Sequence, residues 1–176
     1  TQDIIINDTV APTASNPIAI SVTCVDDVPT PDTTVVSDEA DNCSTPIVQF
    51  VSDVSDGLTC PETITRTYSV TDACNNSITV TQDIIINDTV APTASNPITI
   101  SVTCIDDVPV ADSNVVTDEA DNCSTPIVQF VSDVSDGLTC PETITRTYSV
   151  TDACNNSITV TQDIIINDTI APTASN

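Results

Sequence analysis

The residue types able to do chemistry here are cysteine and carboxylate. Eight cysteines fall into two sets of four, Cys24, Cys43, Cys60 and Cys74, then Cys104, Cys123, Cys140 and Cys154. An even count that recurs at fixed spacing predicts two disulfides per set and an oxidising compartment. A zinc site is the competing chemistry, but the chain has no CxxC pair and no His, and its cysteine spacings are wide. The missing CxxC also argues against a redox-active dithiol. There are 26 carboxylates against two cations, Arg66 and Arg146. With no His and no Lys, nothing but a carboxylate could activate the many Ser and Thr hydroxyls. Paired carboxylates could hydrolyse glycosides, yet aromatic platforms for sugar are scarce at 2% Phe, Trp and Tyr. The chain reads as a non-enzyme.

A net charge of −24 makes nucleic acid and anionic membrane poor partners, since nothing offsets phosphate repulsion. No apolar run reaches the length of a membrane span, so no membrane insertion is expected in this segment. The same acidity favours divalent cations. Hydrophobic residues make up 39% and are rich in Val and Ile, which argues for a packed β core rather than disorder.

The elements that must position these groups repeat. TQDIIINDT begins at Thr1, Thr81 and Thr161, a period of 80 residues. Across one period the two copies differ only at Ala19/Thr99, Val25/Ile105, Thr30/Val110, Pro31/Ala111, Thr33/Ser113, Thr34/Asn114 and Ser37/Thr117. Repeats are placed at 9–88 and 89–168, with 1–8 as the last strand of a preceding repeat and 169–176 as the start of a following one. Copies this alike suggest recent duplication and a window onto a longer tandem array. A module this small gains from disulfides because it buries a modest fraction of its surface.

Period-2 alternation dominates, and short strands separated by Pro, Gly, Asn and Asp predict an all-β sandwich. Ile18–Cys24 places Ile18, Ile20, Val22 and Cys24 on one face. Ile47–Val54 places Val48, Phe50 and Val54 together, and Thr63–Val70 does so for Ile64, Tyr68 and Val70 with Arg66 among them. In Ser77–Asn87 the face is Ile78, Val80, Ile84 and Ile86, with Gln82. Val35–Val36 is expected to begin a further strand. Arg66, on an inward face, must find a carboxylate, because an unpaired buried charge is very costly. Pro12 and Pro17 make the linker short and stiff.

Strand direction suggests the disulfide pairing. Cys24, ending the first strand, and Cys60, opening the Thr63–Val70 strand, fall at the pole far from the repeat's N-terminus. Cys43 and Cys74 fall in loops at the near pole. The expected bridges are Cys24–Cys60 and Cys43–Cys74, with Cys104–Cys140 and Cys123–Cys154 in the second copy, against two other connectivities. The near pole would also gather Asp8, Glu39, Asp41, Asn42, Asp72 and Asn75, and in the next repeat Asp88, Glu119, Asp121, Asn122, Asp152 and Asn155. Such a set suits calcium, which takes six to eight oxygens. Asp and Asn also occur there simply because they form turns.

Four pieces carry a family resemblance: Asp88-Thr89-Val90-Ala91-Pro92, Asp41-Asn42-Cys43, Thr65-Arg66-Thr67-Tyr68 and Thr71-Asp72-Ala73-Cys74-Asn75-Asn76. Their order and spacing resemble the HYR (hyalin repeat) and HYR-like domains. The resemblance implies an immunoglobulin-like β-sandwich associated with extracellular adhesion. Cysteine-rich versions look like the repeats of giant Bacteroidota-type surface proteins exported by the type IX system. Asn76 stands where many members carry Gly-Asn. Within that resemblance Thr9, Thr89 and Thr169 look like O-glycosylation acceptors; Asn7, Asn42 and Asn75 also match the N-linked pattern.

The function expected is a stalk or filament segment of a long, repetitive adhesin at the cell surface. Its partners would be neighbouring repeats of the same chain and, by lateral self-association into a fibre, other copies. The alternative is that the repeats themselves bind glycan, cell or surface. Ice or mineral binding, suggested by the Thr63, Thr65 and Thr67 row, is the weakest reading.

Overall fold

The computed structural model describes residues 2–3 and 7–173. Half of the strand expected over 1–8 therefore falls outside the described residues, as does the end of 169–176. The chain divides into two compact units, Thr1–Asp88 and Thr89–Asn176. Among the described residues each is all-β, with one four-stranded sheet. In the first the strands are β1 (Ile20–Val22), β2 (Ile47–Ser55), β3 (Glu62–Thr71) and β4 (Ser77–Ile86), in the order β1-β4-β3-β2. In the second they are β5 (Ile100–Val102), β6 (Ile127–Ser135), β7 (Glu142–Thr151) and β8 (Ser157–Ile166), in the order β5-β8-β7-β6.

β3 and β4 form the central hairpin, antiparallel from Glu62↔Ile86 to Thr71↔Ser77. Alternation sends Arg66, Tyr68 and Val70 inward beside Gln82, Val80 and Ile78, while Thr63, Thr65 and Thr67 line the opposite face. Tyr68 and Val70 are fully buried and pack with Val36 and Val80. In place of a second regular sheet, extended chain covers this inner face and makes the other layer of the sandwich. Residues Thr13 and Ala40 hold the two covering segments together by reciprocal N–H···O bonds of 2.8 and 2.9 Å. Pro12 is fully buried beneath them, and Ala14 packs on the core.

Three local expectations are corrected. The first strand shrinks from Ile18–Cys24 to Ile20–Val22, because the Ile18 carbonyl accepts from Gln82 Nε2 at 2.9 Å and Cys24 opens a 3-10 turn at Val25–Asp27. Ile18 is 88% exposed rather than inward. Val35–Val36 begins no strand: Asp32 Oδ1 accepts the Thr34 N–H at 2.9 Å and winds a 3-10 turn at Thr33–Val35, though Val36 is still buried. In β2 a bulge at Val51 breaks the alternation. Phe50 pairs with inward Tyr68, but past the bulge it is Asp53 that lies beside Arg66, and Val54 lies beside outward Thr65. The extra residue thus carries an aspartate to the buried arginine, which strict alternation would have pointed away.

β1 runs parallel to β4, with Ile20↔Ile84 and Val22↔Ile86 in register. Three further bonds extend that contact. Asn16 Oδ1 accepts the Thr81 N–H at 2.9 Å, Ile18 O accepts from Gln82, and Val22 O accepts the Asn87 N–H at 3.0 Å. The chain entering the repeat and the chain leaving it are therefore laced together along one direction.

Candidate functional site

The near pole of the first repeat is built from two aspartate-nucleated loops and the chain that enters between them. In the first loop Asp41 Oδ2 accepts the N–H groups of Cys43 (2.9 Å) and Ser44 (3.0 Å). In the second, Asp72 Oδ1 accepts the N–H groups of Cys74 and Asn76, both at 2.8 Å, and Oδ2 accepts from Asn76 Nδ2 at 2.7 Å. These are local side-chain-to-backbone turns, and they explain why Asp begins each loop. Ser44 Oγ accepts the Ala73 N–H at 3.2 Å and joins one loop to the other. Asp8 arrives with Oδ1 accepting the Val10 N–H at 3.0 Å and Asn42 Nδ2 at 3.4 Å; its carbonyl accepts from Asn76 Nδ2 at 3.1 Å.

One carboxylate oxygen each from Asp8, Asp41 and Asp72 comes within 4.8 Å of the others. Asp8 and Asp72 are buried, and Asp41 is half-buried. The N–H of Cys43, then those of Ser44 and Asn42, hold the Asp41 carboxyl below its ordinary range against the opposing effect of desolvation. Its Oδ1 is buried and has no hydrogen-bond partner. Hydrogen bonds from neutral donors therefore satisfy most of this carboxylate group, and one buried oxygen is left over.

Of the residues expected to join this set, Asp8, Asp41 and Asp72 come together, and Asn42 donates into it. Glu39 lies outside the group, with Oε2 buried and unpartnered elsewhere in the loop. Asn75 does not donate to it either. Its backbone takes the left-handed conformation (φ 68°) that closes the turn, a role in which Asn is favoured. The amide that reaches the carboxylates belongs to Asn76, which the sequence reading passed over. The clue available was the Asp-x-x-x-Asn spacing, which lets one side chain close the loop on itself. In the second repeat Asp121 and Asp152 nucleate the same turns, to Cys123 and Ser124 N–H at 3.0 Å and to Cys154 and Asn156 N–H at 2.8 Å. Burial works to raise the Asp121 carboxyl, but the Cys123 and Ser124 donors outweigh it and leave it low. Asn155 again supplies the turn (φ 66°), and Glu119 Oε2 and Asp121 Oδ1 are buried without partners.

The sulfurs divide between the copies. Cys24 and Cys60 are disulfide-bonded in the first repeat, and Cys123 and Cys154 in the second, one bridge in each. Four cysteines expected in bridges are instead thiols: Cys43, Cys74, Cys104 and Cys140. Desolvation pushes the Cys43 thiol up, and the Asp8 carboxylate adds to it. Cys140 donates to the Asp168 carbonyl at 3.4 Å.

The one cation of each repeat is committed to the sheet. Arg66 is buried; its Nε and Nη2 donate to Asp53 Oδ1 and Oδ2 at 2.9 and 2.8 Å, a bidentate pair. The Asp53 hydrogen bonds hold the Arg66 guanidinium firmly protonated. Arg146 and Asp133 repeat this at 2.8 and 2.7 Å. The hydroxyl-bearing residues Thr9, Thr89 and Thr169 are exposed.

Four cysteines per unit, aspartate-nucleated DNC and TDAC loops and an inward arginine on the central strand define a family pattern. A family model described as an HYR-like domain with 4 cysteines matches residues 12–87 and again residues 92–167. The chain belongs to this HYR-like family. No curated protein matches it. HYR-like repeats closed by disulfides are modules of the extracellular, adhesion-associated type, and the type is non-catalytic. Among the described residues no helix is long and apolar enough to cross a membrane.

Proposed function

We propose that this chain is a stalk or filament segment of a long extracellular surface adhesin, whose HYR-like repeats hold a binding element away from the cell or build a fibre. The observation that carries this reading is the parallel pairing of β1 with β4. The chain enters each repeat beside the strand by which it leaves. Tension between the ends then slides the two strands past one another, loading all the bonds between them at once rather than peeling them singly. In the first repeat the Cys24–Cys60 bridge lies just beyond β1 and just before β3, so it fixes the far end of that shear plane. Near-identical copies in series each carry the full tension, so matched repeats leave no weak link.

Calcium is a second component of the proposal. The buried, unpartnered Asp41 Oδ1 beside Asp8 and Asp72 is the observation that favours it. An ion there would take carboxylate oxygens that no cation of the chain can reach, and would tie the entering chain to the loops it meets.

Direct adhesion by the repeats is the other reading, favoured by the varying segment. Ala19, Val25, Thr30, Pro31, Thr34 and Ser37 are exposed and Thr33 is half-buried, so the variation forms a surface feature. The chain immobilised on beads and offered to glycan arrays, cells and abiotic surfaces separates the two. A stalk segment leaves the beads unbound; saturable binding lost on exchanging residues 19–37 would overturn the stalk reading.

A further inference from the structure

In both units one sheet edge is short and the other is long. β1 and β5 are three residues each, whereas β2 and β6 are nine and pair with a neighbour on one side only. A long open edge offers a row of main-chain donors and acceptors to another strand, and proteins usually blunt it with Lys, Pro or a bulge. β2 contains no Lys and no Pro, and its one such device is the bulge at Val51. The bulge leaves regular runs on both sides, Ile47–Phe50 and Ser52–Ser55.

This edge is also apolar. Ile47, Phe50, Val51, Val54 and Leu58 are 42–64% exposed, and Ile127, Phe130, Val131, Val134 and Leu138 repeat the pattern almost number for number. Singly exposed apolar residues are ordinary, but here five flank one open edge, with Ile47 and Val54 on the outward face of the sheet and Phe50 on the inward one. Its charge sets it apart in a chain of net charge −24. The only carboxylate in β2 is Asp53, and Arg66 neutralises it. Two copies repel wherever acidic loops face each other, but not where β2 faces β2.

We propose that β2 and β6 form a self-association strip by which the chain packs laterally against a second copy of itself. A cationic partner would be drawn to the acidic loops and gain nothing from β2, whose one carboxylate is already paired. A second copy brings the same strip at the same 80-residue period. Area sets the strength. The five side chains offer roughly 500 Å² per repeat, against about 800 Å² per partner in a stable interface, so the pairing expected is weak and shows at high concentration. This deepens the fibre half of the proposed function, on which it rests, and holds whether or not the chain bears load.

Sedimentation equilibrium of this two-repeat chain, from micromolar to millimolar, tests it against the V54K/V134K variant. Both valines are exposed and outward, so the variant's melting curve should match the parent's; L58E/L138E is the second variant if it does not. The parent should shift from monomer to dimer, more readily in high salt, which screens the net charge. Both variants should associate at least tenfold more weakly. Amide exchange in Ile47–Ser55 and Ile127–Ser135 should slow with concentration. A parent that stays monomeric throughout would overturn the proposal, as would association that salt weakens or that both variants retain. None of these outcomes bears on whether an isolated chain resists tension, so the stalk reading stands or falls separately.

Discussion

The sheet and the near-pole loops of one repeat both bury charge, and they neutralise it by opposite means. In the sheet, Arg66 meets Asp53 in a bidentate pair, and the bulge at Val51 exists in the right place to allow it. In the loops, Asp8, Asp41 and Asp72 meet only N–H groups, amides and the Ser44 hydroxyl, because the repeat has no second cation to give. A chain with 26 acids and two bases can pair almost none of them, so its backbone must do the work of counter-charge. The sheet should therefore be indifferent to divalent ions, and the loops should respond to them.

The largest effect expected is on the sheet side. Replacing Cys24 and Cys60 by Ser opens a loop of 36 residues (60 − 24) and should cost about 3–4 kcal/mol through the entropy of the unfolded chain. Denaturant melts of parent and variant under the same oxidising conditions measure it. Next is Asp53→Ala, which strands a buried guanidinium and should cost about 3 kcal/mol, discounted because Asp53 is a third exposed. Asp53→Leu combined with Arg66→Met should recover much of that loss. If the single and double variants are equally unstable, the pair is not what holds these strands in register.

The loop side is expected to show smaller, conditional effects. If calcium occupies the Asp8–Asp41–Asp72 group, an ion concentration 100-fold over its Kd adds about 2.7 kcal/mol, seen as a rising melting temperature. Asp41→Ala should abolish the response and Asp53→Ala should leave it intact. A flat titration with the parent would reduce the group to ordinary turn chemistry. The smallest effect is at Asp38, whose carboxylate accepts the Ser15 N–H at 3.0 Å and is held below the ordinary 3.8 by the Ser15 side chain and then by that N–H. A lowered folded pKa contributes stability that is complete above pH 3.8 and lost as pH falls through the lower value. Asp38→Ala should thus melt earlier than the parent at neutral pH and converge with it in stronger acid; a constant gap would point to lost packing instead.

Much of this was legible beforehand, for reasons that separate the same two regions. β3 and β4 keep an unbroken period of two from Glu62 to Thr71 and from Ser77 to Ile86, so the inward Tyr68, Val70, Val80, Ile84 and Ile86 follow from alternation alone. Arg66 could be assigned a carboxylate partner on energetic grounds. Which carboxylate it was could not be read, because a bulge adds a residue without leaving a Gly or Pro to mark it. The covering segments were misread where local side-chain bonds beat propensity: Val35 is β-branched, yet Asp32 winds the chain there into a 3-10 turn. At the near pole the aspartates were legible as loop nucleators. The division of labour between Asn75 and Asn76 was not, since it depends on one backbone angle. The apolar edge of β2 was hidden as well, because only the strand order shows that nothing pairs beyond it.

The shear-loaded β1–β4 pairing is the claim on which the stalk reading depends, and single-molecule extension of the chain from its two ends tests it most directly. Under oxidising conditions the first repeat should unfold in one abrupt, high-force event. Its length gain should be about 120 Å shorter than in reductant, the extended length of the 36 residues that Cys24–Cys60 withholds. Gradual extension at low force, with the same length gain in both conditions, would contradict the account.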